Sequence, residues 1–302
     1  MVRRAFEHAA TTYDEAAVLQ REVGDRMAER LDLIRISPTT ILDVGAGTGY
    51  SSHELIKRYP GAEIVALDIA KTMLDRTCER CTDSDRLVPV CADMEAMPFI
   101  DESMDMIYSN LTLQWCNDVE HTLQEFKRLL KPGGVLMLTT FGPDTLNELR
   151  TSWATVDDYE HVHAFIDMHD IGDAMVRAGF AQPVLDAERI TLTYSDVRSL
   201  MNDLKGLGAH NVAKGRTRGL TGPQRLAAMT AAYEKFRTDD RLPATYEVVY
   251  GHAWCPDAQS DDQQASALQA VSVSSMREAM YELREQVAKE AKTLAEKKRD
   301  RS

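Results

Sequence analysis

The sequence lacks the features that would direct the chain to a membrane, to nucleic acid or into the secretory route. None of its apolar runs approaches the roughly 20 residues that span a bilayer. Met1 to Arg4 are followed by Glu7 and Asp14 instead of the apolar core of a secretory signal. The formal net charge is −13, whereas phosphate backbones require a basic footprint. We therefore expect a cytoplasmic protein, or one of an organelle matrix after loss of a transit peptide, that binds neither nucleic acid nor membrane.

Cysteine is too scarce for a disulfide framework or a structural metal site. The 302 residues include five cysteines, an odd number. Cys78 and Cys81 form a CxxC pair, which can be redox-active or supply half of a zinc site. No second CxxC or CxxH in the sequence completes a ligand set. The sequence therefore predicts reduced thiols.

What the sequence does contain is an alternation of short apolar runs with helical patterns. Strands are predicted at 40–44, 63–68, 87–91, 104–108, 135–140, 183–192 and 245–253. Helices are predicted between them at 13–35, 50–58, 70–80, 119–130, 143–156 and 171–178. Such alternation specifies parallel strands joined by right-handed crossovers. We expect an α/β fold with a Rossmann-like, doubly wound, mostly parallel seven-stranded sheet.

Two segments depart from this alternation. Residues 195–243 indicate a helical cap inserted before the last strand, over the C-terminal edge of the sheet, where ligands bind in open α/β folds. Residues 1–254 would form one domain that includes this cap. In the remainder, 257–302, a polar linker precedes residues 266–299, which have no Gly or Pro and carry an apolar stripe close to heptad spacing. We expect an amphipathic helix there, packed on its own domain or on a partner.

The decapeptide ILDVGAGTGY is the stretch around which the rest is organised. Its apolar strand carries Asp43 and breaks into three glycines, Gly45, Gly47 and Gly49, before a helix. Such a turn lets the backbone approach a ligand closely. Asp68 ends the following strand, where a carboxylate can accept hydrogen bonds from ribose hydroxyls. Structural glycines or an NAD site would share this turn, so the assignment depends on the later strands.

Polar residues follow the next two strands. Asp93 can accept a hydrogen bond from an adenine amino group while Met94 packs against the ring. Asn110 lies where it can reach the amino acid end of a ligand. Taken singly, Asp93 could be a helix cap, Met94 a core residue and Asn110 a turn residue. Because the carboxyl ends of parallel strands share one edge of a sheet, their joint placement favours a nucleotide-like ligand.

These stretches resemble class I S-adenosylmethionine-dependent methyltransferases over about residues 38–140. The matching motifs are DVGAGTG, the acid in VALDIA, CADMEAMPF and the LKPGG turn. A dehydrogenase fits less well, because its Gly-x-Gly-x-x-Gly spacing is absent. The resemblance implies S-adenosylmethionine as methyl donor. It implies a cofactor site formed by Gln20, Asp43, Gly45, Gly47, Gly49, Asp68, Ile69, Met73, Asp93, Met94 and Asn110.

A narrower resemblance extends from Phe6 to Trp254. The stretches YDEAAVLQ, SNLTLQWC, TTFGPDTLNEL, HVHAF, LKGLGAHN and TYEVVYGHAW look like the malonyl-acyl carrier protein O-methyltransferases of biotin synthesis. That family implies methyl transfer to the free carboxylate of a malonyl thioester, on acyl carrier protein or coenzyme A. The related mitochondrial complex I assembly factors, some of which hydroxylate arginine, are the main alternative. A non-enzymatic scaffold is a third, against which the intact glycine turn counts.

A carboxylate acceptor needs hydrogen-bond donors but no general base, because it is already ionised at neutral pH. Four side chains are the candidate donors: Tyr13, Trp115, His161 and Lys205. The tyrosine side chain would also pack against the methyl group. The two aromatic residues are equally consistent with packing, and the lysine with a solvated surface charge. His163 and His169 could join His161 in a metal site, but nearby carboxylates are scattered, so no metal is predicted.

One basic segment interrupts an acidic chain. Between Gly206 and Tyr233 the sequence has no Asp or Glu, but it has four basic residues: Lys214, Arg216, Arg218 and Arg225. Acyl carrier proteins are acidic, so we expect this part of the cap to dock the carrier. A solvated helix face is the alternative.

Overall fold

The apolar runs of the sequence form the strands of a seven-stranded sheet. The structure, a computed structural model, describes residues 2–82, 84–207 and 222–257. The strands are β1 (Thr40–Val44), β2 (Glu63–Asp68), β3 (Leu87–Cys91), β4 (Met104–Ser109), β5 (Leu130–Phe141), β6 (Ala181–Tyr194) and β7 (Leu242–Trp254). Their order is β3-β2-β1-β4-β5-β7-β6. The first five strands pair in parallel, and β7 runs antiparallel to both β5 and β6. The predicted Rossmann-like, mostly parallel sheet is confirmed.

The helices follow the predicted alternation, with changes at the N-terminus. In the described part of the chain they are α1 (Val2–Ala9), α2 (Tyr13–Ala16), α3 (Val18–Arg30), α4 (Tyr50–Arg58), α5 (Lys71–Arg80), α6 (Val119–Leu129), α7 (Asn147–Ala154), α8 (Met168–Arg177), α9 (Val197–Gly206) and α10 (Pro223–Tyr233). The single helix predicted at 13–35 is wrong. Ala17 leaves the helical conformation between α2 and α3, and the chain tightens into a 3₁₀ turn at Leu31–Leu33. Helix α1 was not predicted, because so short a helix depends on tertiary packing.

The inner strands β1, β2, β4, β5 and β7 are buried along most of their length, so alternate residues enter two different cores, whereas the edge strands β3 and β6 are largely exposed. Ile41 and Met106 pack on one face against Leu19 and Val23 of α3. Leu42, Val44 and Ile107 pack on the other face with Phe126 of α6 and Met175 of α8. This explains why the strands read as continuous apolar runs. The carboxyl ends of β1 to β5 are thereby brought to one edge.

At the opposite edge, one carboxylate joins the beginnings of three strands. Oδ2 of Asp105 in β4 accepts hydrogen bonds from the backbone N–H groups of Thr39 and Thr40, each at 2.9 Å, and from the Thr39 hydroxyl at 2.6 Å. Oδ1 accepts from Nζ of Lys131 in β5 at 2.8 Å. Partial burial raises the pKa of Asp105, but the hydrogen bonds from Lys131 and Thr39 outweigh it and leave the pKa below its ordinary value.

The segment predicted as a cap is inserted between β6 and β7, and its described parts are α9 and α10. Residues 208–221, which include three of the four predicted docking residues, lie outside the described residues. The helix predicted at 266–299 lies outside them as well. None of the helices that the structure describes is long and apolar enough to cross a membrane.

We predict that Asp105→Asn lowers the free energy of unfolding by about 1–3 kcal/mol at pH 7, because it removes a charged acceptor from several donors. A carboxyl group whose pKa is lowered by folding stabilises the folded state at pH values above its unfolded pKa. This stabilisation is lost as the pH falls through the folded pKa. Urea unfolding should show that the difference in unfolding free energy between wild type and Asp105→Asn narrows below about pH 4. Asp101→Asn, at a side chain that is 73% exposed, is the control. A free-energy difference that does not change with pH would contradict the role of Asp105 as a charged acceptor.

Candidate functional site

A cavity of about 1370 Å³ opens at the carboxyl ends of β1 to β5. Gly45 and Gly47 line it after β1, Asp68 at the end of β2, Asp93 after β3 and Asn110 after β4. A pocket for one small ligand measures about 300–1,000 Å³. The cavity therefore has room for a cofactor and for part of a second molecule.

Asp68 connects the glycine turn to the next strand. Its Oδ2 accepts a hydrogen bond from the Gly47 N–H at 3.0 Å, and its Oδ1 accepts one from the Ala70 N–H at 2.8 Å. Burial raises the pKa of Asp68 to about 6, against the opposing effect of these backbone hydrogen bonds. The carboxylate is thus largely ionised near neutral pH, and hydroxyl donors from a ribose would complete its hydrogen bonding.

The other predicted acid of the turn, Asp43, has a different position. It is buried beneath the glycine turn, is not among the residues that line the cavity, and accepts a hydrogen bond from the Ser52 hydroxyl at 2.6 Å. Burial raises the pKa of Asp43 to about 7, opposed by the Ser52 hydrogen bond and increased by the charge of Asp68. Asp43 therefore contacts the first turn of α4 and is not aimed at the ligand space.

The three glycines of the turn have separate roles. A Cβ on Gly45 would lie 2.2 Å from Oγ1 of Thr112, and a Cβ on Gly49 would lie 2.7 Å from Cγ2 of Thr77. A Cβ on Gly47 would meet no protein atom closer than the Gly45 carbonyl oxygen at 3.9 Å. Gly45 and Gly49 are thus required by packing of the protein itself. The open space at Gly47, whose φ is +57°, belongs to the cavity.

The side chains predicted to hold an adenosine line the same half of the cavity. Ile69, Met73 and Met94 supply apolar surface there. One oxygen of Asp93 accepts a hydrogen bond from the Glu95 N–H at 3.0 Å, which fixes its side chain beside the cavity. These residues follow β2 and β3, so the half of the cavity at β1, β2 and β3 has the composition of an adenosine site.

Asn110 holds helix α3 against the edge of the sheet. Its side-chain N–H donates to the Gln20 carbonyl oxygen at 2.9 Å, and its side-chain oxygen accepts from the Thr139 hydroxyl at 2.7 Å. Gln20 is outside the cavity lining, but its side-chain oxygen is buried without a partner among the described residues. A buried polar atom without a partner is uncommon, and the contact of Gln20 with the amino acid end of a ligand stays a prediction.

The N-terminal segment covers one side of the cavity. The Phe6 ring packs edge-on to Tyr13 at 6.5 Å and to Trp115 at 5.3 Å between centroids, and all three line the cavity. Burial, with the charges of Asp68 and Asp14, raises the pKa of Tyr13 well above its usual value. The Tyr13 hydroxyl is therefore protonated at any physiological pH and can donate a hydrogen bond.

Asp14 ties this cover to the glycine turn. Its carboxylate accepts from the Thr48 hydroxyl and from Nη2 of Arg80, each at 2.6 Å. Thr48 lies between the last two glycines of the turn, and Arg80 is in the last turn of α5. The residue next to Tyr13 is thus held by the loop that forms the ligand site.

The structure places three other predicted residues away from the cavity lining. His161 stacks on Trp153 at 3.8 Å and bonds to Asp157 at 2.8 Å. Arg225, a predicted docking residue, forms an ion pair with Asp157. Lys205 borders a separate groove between α9 and the N-terminal helices. None of the described residues of 195–243 lines the cavity, so the expectation that the cap covers it is not met by that part of the chain.

Sequence reasoning missed several residues that do line the cavity, among them Phe6, Phe141, His163 and Phe165. Phe165 packs edge-on to Phe141 at 5.5 Å and to His163 at 5.7 Å. The pairing of His161 with Phe165 in the sequence pointed to this stretch, but the histidine that lines the cavity is His163. The histidines have separate surroundings, and no group of three His, Cys, Asp or Glu side chains within 2–82, 84–207 and 222–257 is arranged to hold a metal ion.

Comparison with known proteins gives matches over two different lengths. Residues 42–138 match the family described as a methyltransferase domain. A malonyl-[acyl-carrier protein] O-methyltransferase of Laribacter hongkongensis is 54% identical over 266 residues, 85% of this chain and 90% of the relative. The enzyme of the same name from Methylovorus sp. is 52% identical and covers 85% of this chain and 89% of the relative. That of Coxiella burnetii is 44% identical, over 86% and 89%.

Solved structures share the fold at low identity. The phosphoethanolamine N-methyltransferase 2 of Haemonchus contortus, in complex with S-adenosyl-L-methionine, matches with a TM-score of 0.53 at 15% identity, covering 85% of this chain and 60% of that one. The YcgJ protein of Bacillus subtilis matches with a TM-score of 0.55 at 13% identity, covering 77% and 98%.

The separate roles of the glycines predict opposite outcomes for two alanine substitutions. Gly47→Ala should weaken binding of S-adenosylmethionine at least about tenfold, because its Cβ projects into the ligand space, with a loss of stability of only about 1 kcal/mol. Gly45→Ala should instead lower the melting temperature strongly, because its Cβ would overlap Thr112. Calorimetry and thermal unfolding separate the two effects. Tight binding by Gly47→Ala would mean that the ligand space has been misassigned.

Proposed function

Because the chain belongs to the malonyl-[acyl-carrier protein] O-methyltransferase family, we propose that it methylates the free carboxylate of a malonyl group carried by acyl carrier protein. S-adenosylmethionine is the methyl donor. The product, a methyl ester, hides the charge of the carboxylate, so that fatty-acid enzymes can extend the chain toward the pimeloyl group of biotin.

The proposal is supported by the length over which the curated relatives match this chain. The methyltransferase domain family covers only residues 42–138, which contain β2 to β4 and most of β1 and β5. The relatives match 260 residues or more at 44–54% identity, about 85% of the chain, and so extend well beyond that domain. The resemblance found in the sequence agrees with these relatives, whereas none of their names favours a hydroxylase or an assembly factor.

The reaction needs alignment more than proton transfer. S-adenosylmethionine supplies a sulfonium-bound methyl group when it is bound, and a carboxylate acceptor is already ionised. Asp68 would hold the ribose, with Asp93 and Met94 at the adenine, so that the methyl group faces the acceptor half of the cavity. The protein must bring the reacting atoms to about 3–3.5 Å and supply donors to the desolvated carboxylate.

The N-terminal cover supplies both donors and water exclusion. Tyr13 and Trp115 line the cavity beside Phe6, and neither side-chain donor has a hydrogen-bond partner among the described residues. A cover tied by Asp14 to Thr48 and Arg80 keeps this aromatic wall in place. Excluding water strengthens the hydrogen bonds to the acceptor and prevents competing solvation.

The partner is an acidic carrier protein that docks on the basic segment. Lys214, Arg216 and Arg218 remain candidates for this surface on the grounds of charge alone. Arg225 is committed to Asp157, so its role is to hold the loop that carries His161. The five cysteines, all unpaired, suit the reducing cytoplasm in which we place the reaction.

The direct test mixes the purified protein with S-adenosylmethionine and malonyl-acyl carrier protein and follows the acyl group by mass spectrometry. We expect a gain of one methyl group per malonyl group. Acetyl-acyl carrier protein, which has no free carboxylate, is the control and should remain unchanged. Absence of a gain on malonyl-acyl carrier protein, with methylation or hydroxylation of another protein instead, would reject the proposal.

Charge reversal tests the docking surface. Arg216→Glu with Arg218→Glu should lower kcat/KM for malonyl-acyl carrier protein on the order of tenfold at low salt, while malonyl-coenzyme A is used as before. The difference should shrink as salt rises, because exposed charges are screened over roughly 8 Å at physiological ionic strength. Arg225→Glu reverses one charge at a structural ion pair and should lower the rate with both substrates equally. If the double variant lost kcat/KM equally with both substrates, Arg216 and Arg218 would not belong to the docking surface.

A further inference from the structure

The acceptor half of the cavity has few donors that are available for an anion. Among the lining side chains, the amide N–H groups of Asn110, Gln114 and Asn117 donate to Gln20, Leu111 and Glu95. The hydroxyl groups of two lining threonines also donate within the protein. One N–H of each amide and both threonine hydroxyl protons are therefore already used within the protein.

The charges that line the cavity make this shortage more acute. Asp68, Asp93, Glu95 and Glu160 are acidic, and the arginine at the rim, Arg3, is paired with Glu7. A carboxylate that enters such a site is destabilised unless a donor meets it. Three lining side chains that carry an N–H or O–H group form no side-chain hydrogen bond in the described part of the chain: Tyr13, Trp115 and His163.

His163 lies on the side of the cavity where the acceptor belongs. Cofactor residues follow β1, β2 and β3, whereas the strand order puts β5 on the far side of β4. Phe141 is the last residue of β5, its ring packs on Phe165, and Phe165 packs on His163. This aromatic chain places His163 at the β5 side, away from Asp68.

The surroundings of the imidazole decide which nitrogen carries its proton. Nδ1 is buried without a partner among the described residues, so a proton there would be an unsatisfied donor. Burial lowers the pKa of His163, opposed by the charge of Glu160, and the ring is therefore neutral near pH 7. A neutral ring with a bare Nδ1 has its N–H on Nε2.

We propose that the Nε2–H of His163 binds the acyl group of the substrate and holds its carboxylate for methyl transfer. This rests on the function proposed above and makes His163, which was not among the candidate donors of the sequence, a residue that contacts the acceptor. His161, two residues away, stacks on Trp153 and supports the loop.

Glutamine and asparagine substitutions distinguish the two ring nitrogens, because a Gln amide nitrogen overlays Nε2 and an Asn amide nitrogen overlays Nδ1. We expect His163→Phe and His163→Asn to lower kcat/KM for malonyl-acyl carrier protein about tenfold or more, through a higher KM, and His163→Gln to stay close to wild type. The affinity for S-adenosylmethionine and the melting temperature should not change. His169→Gln, at an exposed histidine of the same segment, is the matched control.

Wild-type kcat/KM in His163→Phe, or equal activity of the Gln and Asn variants, would overturn the inference. So would a parallel loss of cofactor affinity, which would indicate a packing role. The proposed function is tested separately by the wild-type rate on malonyl-acyl carrier protein. Titration of malonyl-coenzyme A in the presence of S-adenosylhomocysteine then measures the His163 contact without turnover, and equal binding by wild type and His163→Phe would reject it.

Discussion

The hydrogen bonds that Asp68 accepts from Gly47 and Ala70 are the constraint on which the site depends. They join the turn after β1 to the end of β2, two strands that are neighbours in the sheet. A carboxylate buried this deeply is stable only when donors surround it, and in the described part of the chain those donors are backbone N–H groups. The remaining hydrogen-bonding capacity is available to hydroxyl groups of a ligand. The same interaction therefore shapes the glycine turn and, in the function we propose, leaves oxygen atoms that a ribose would contact.

The acceptor side is built by a different kind of structure. The cofactor half consists of strand ends and tight turns, with helix α1 packed against α5 beside it, while the β5 side is lined by the loop that includes His163 and Phe165. Asp14 ties the cover to the turn through Thr48, so the two halves are mechanically connected. A rigid half that positions the donor and a separate cover for the acceptor are suited to a reaction that depends on alignment.

Much of the fold and of the cofactor half could be predicted because the signals are local. Each strand, its turn and the residue that follows are contiguous, and parallel strands bring those residues to one edge whatever the loops do. Gly47, Asp68, Asp93 and Met94 were predicted in this way, and all four line the cavity. The sequence could not show that Asp43 points under the turn, because that follows from which face of β1 packs against Ser52 of α4.

The sequence by itself determined the order of strands and helices, since apolar periodicity and turn residues act over a few residues. Only the tertiary structure decided which of two histidines separated by one residue faces the cavity. His161 is turned away because Trp153 and Asp157 offer it a stacking partner and an acceptor. Arg225 forms an ion pair with Asp157, 68 residues earlier in the chain. Such choices depend on contacts between distant segments in loops without periodicity, and no local pattern encodes them.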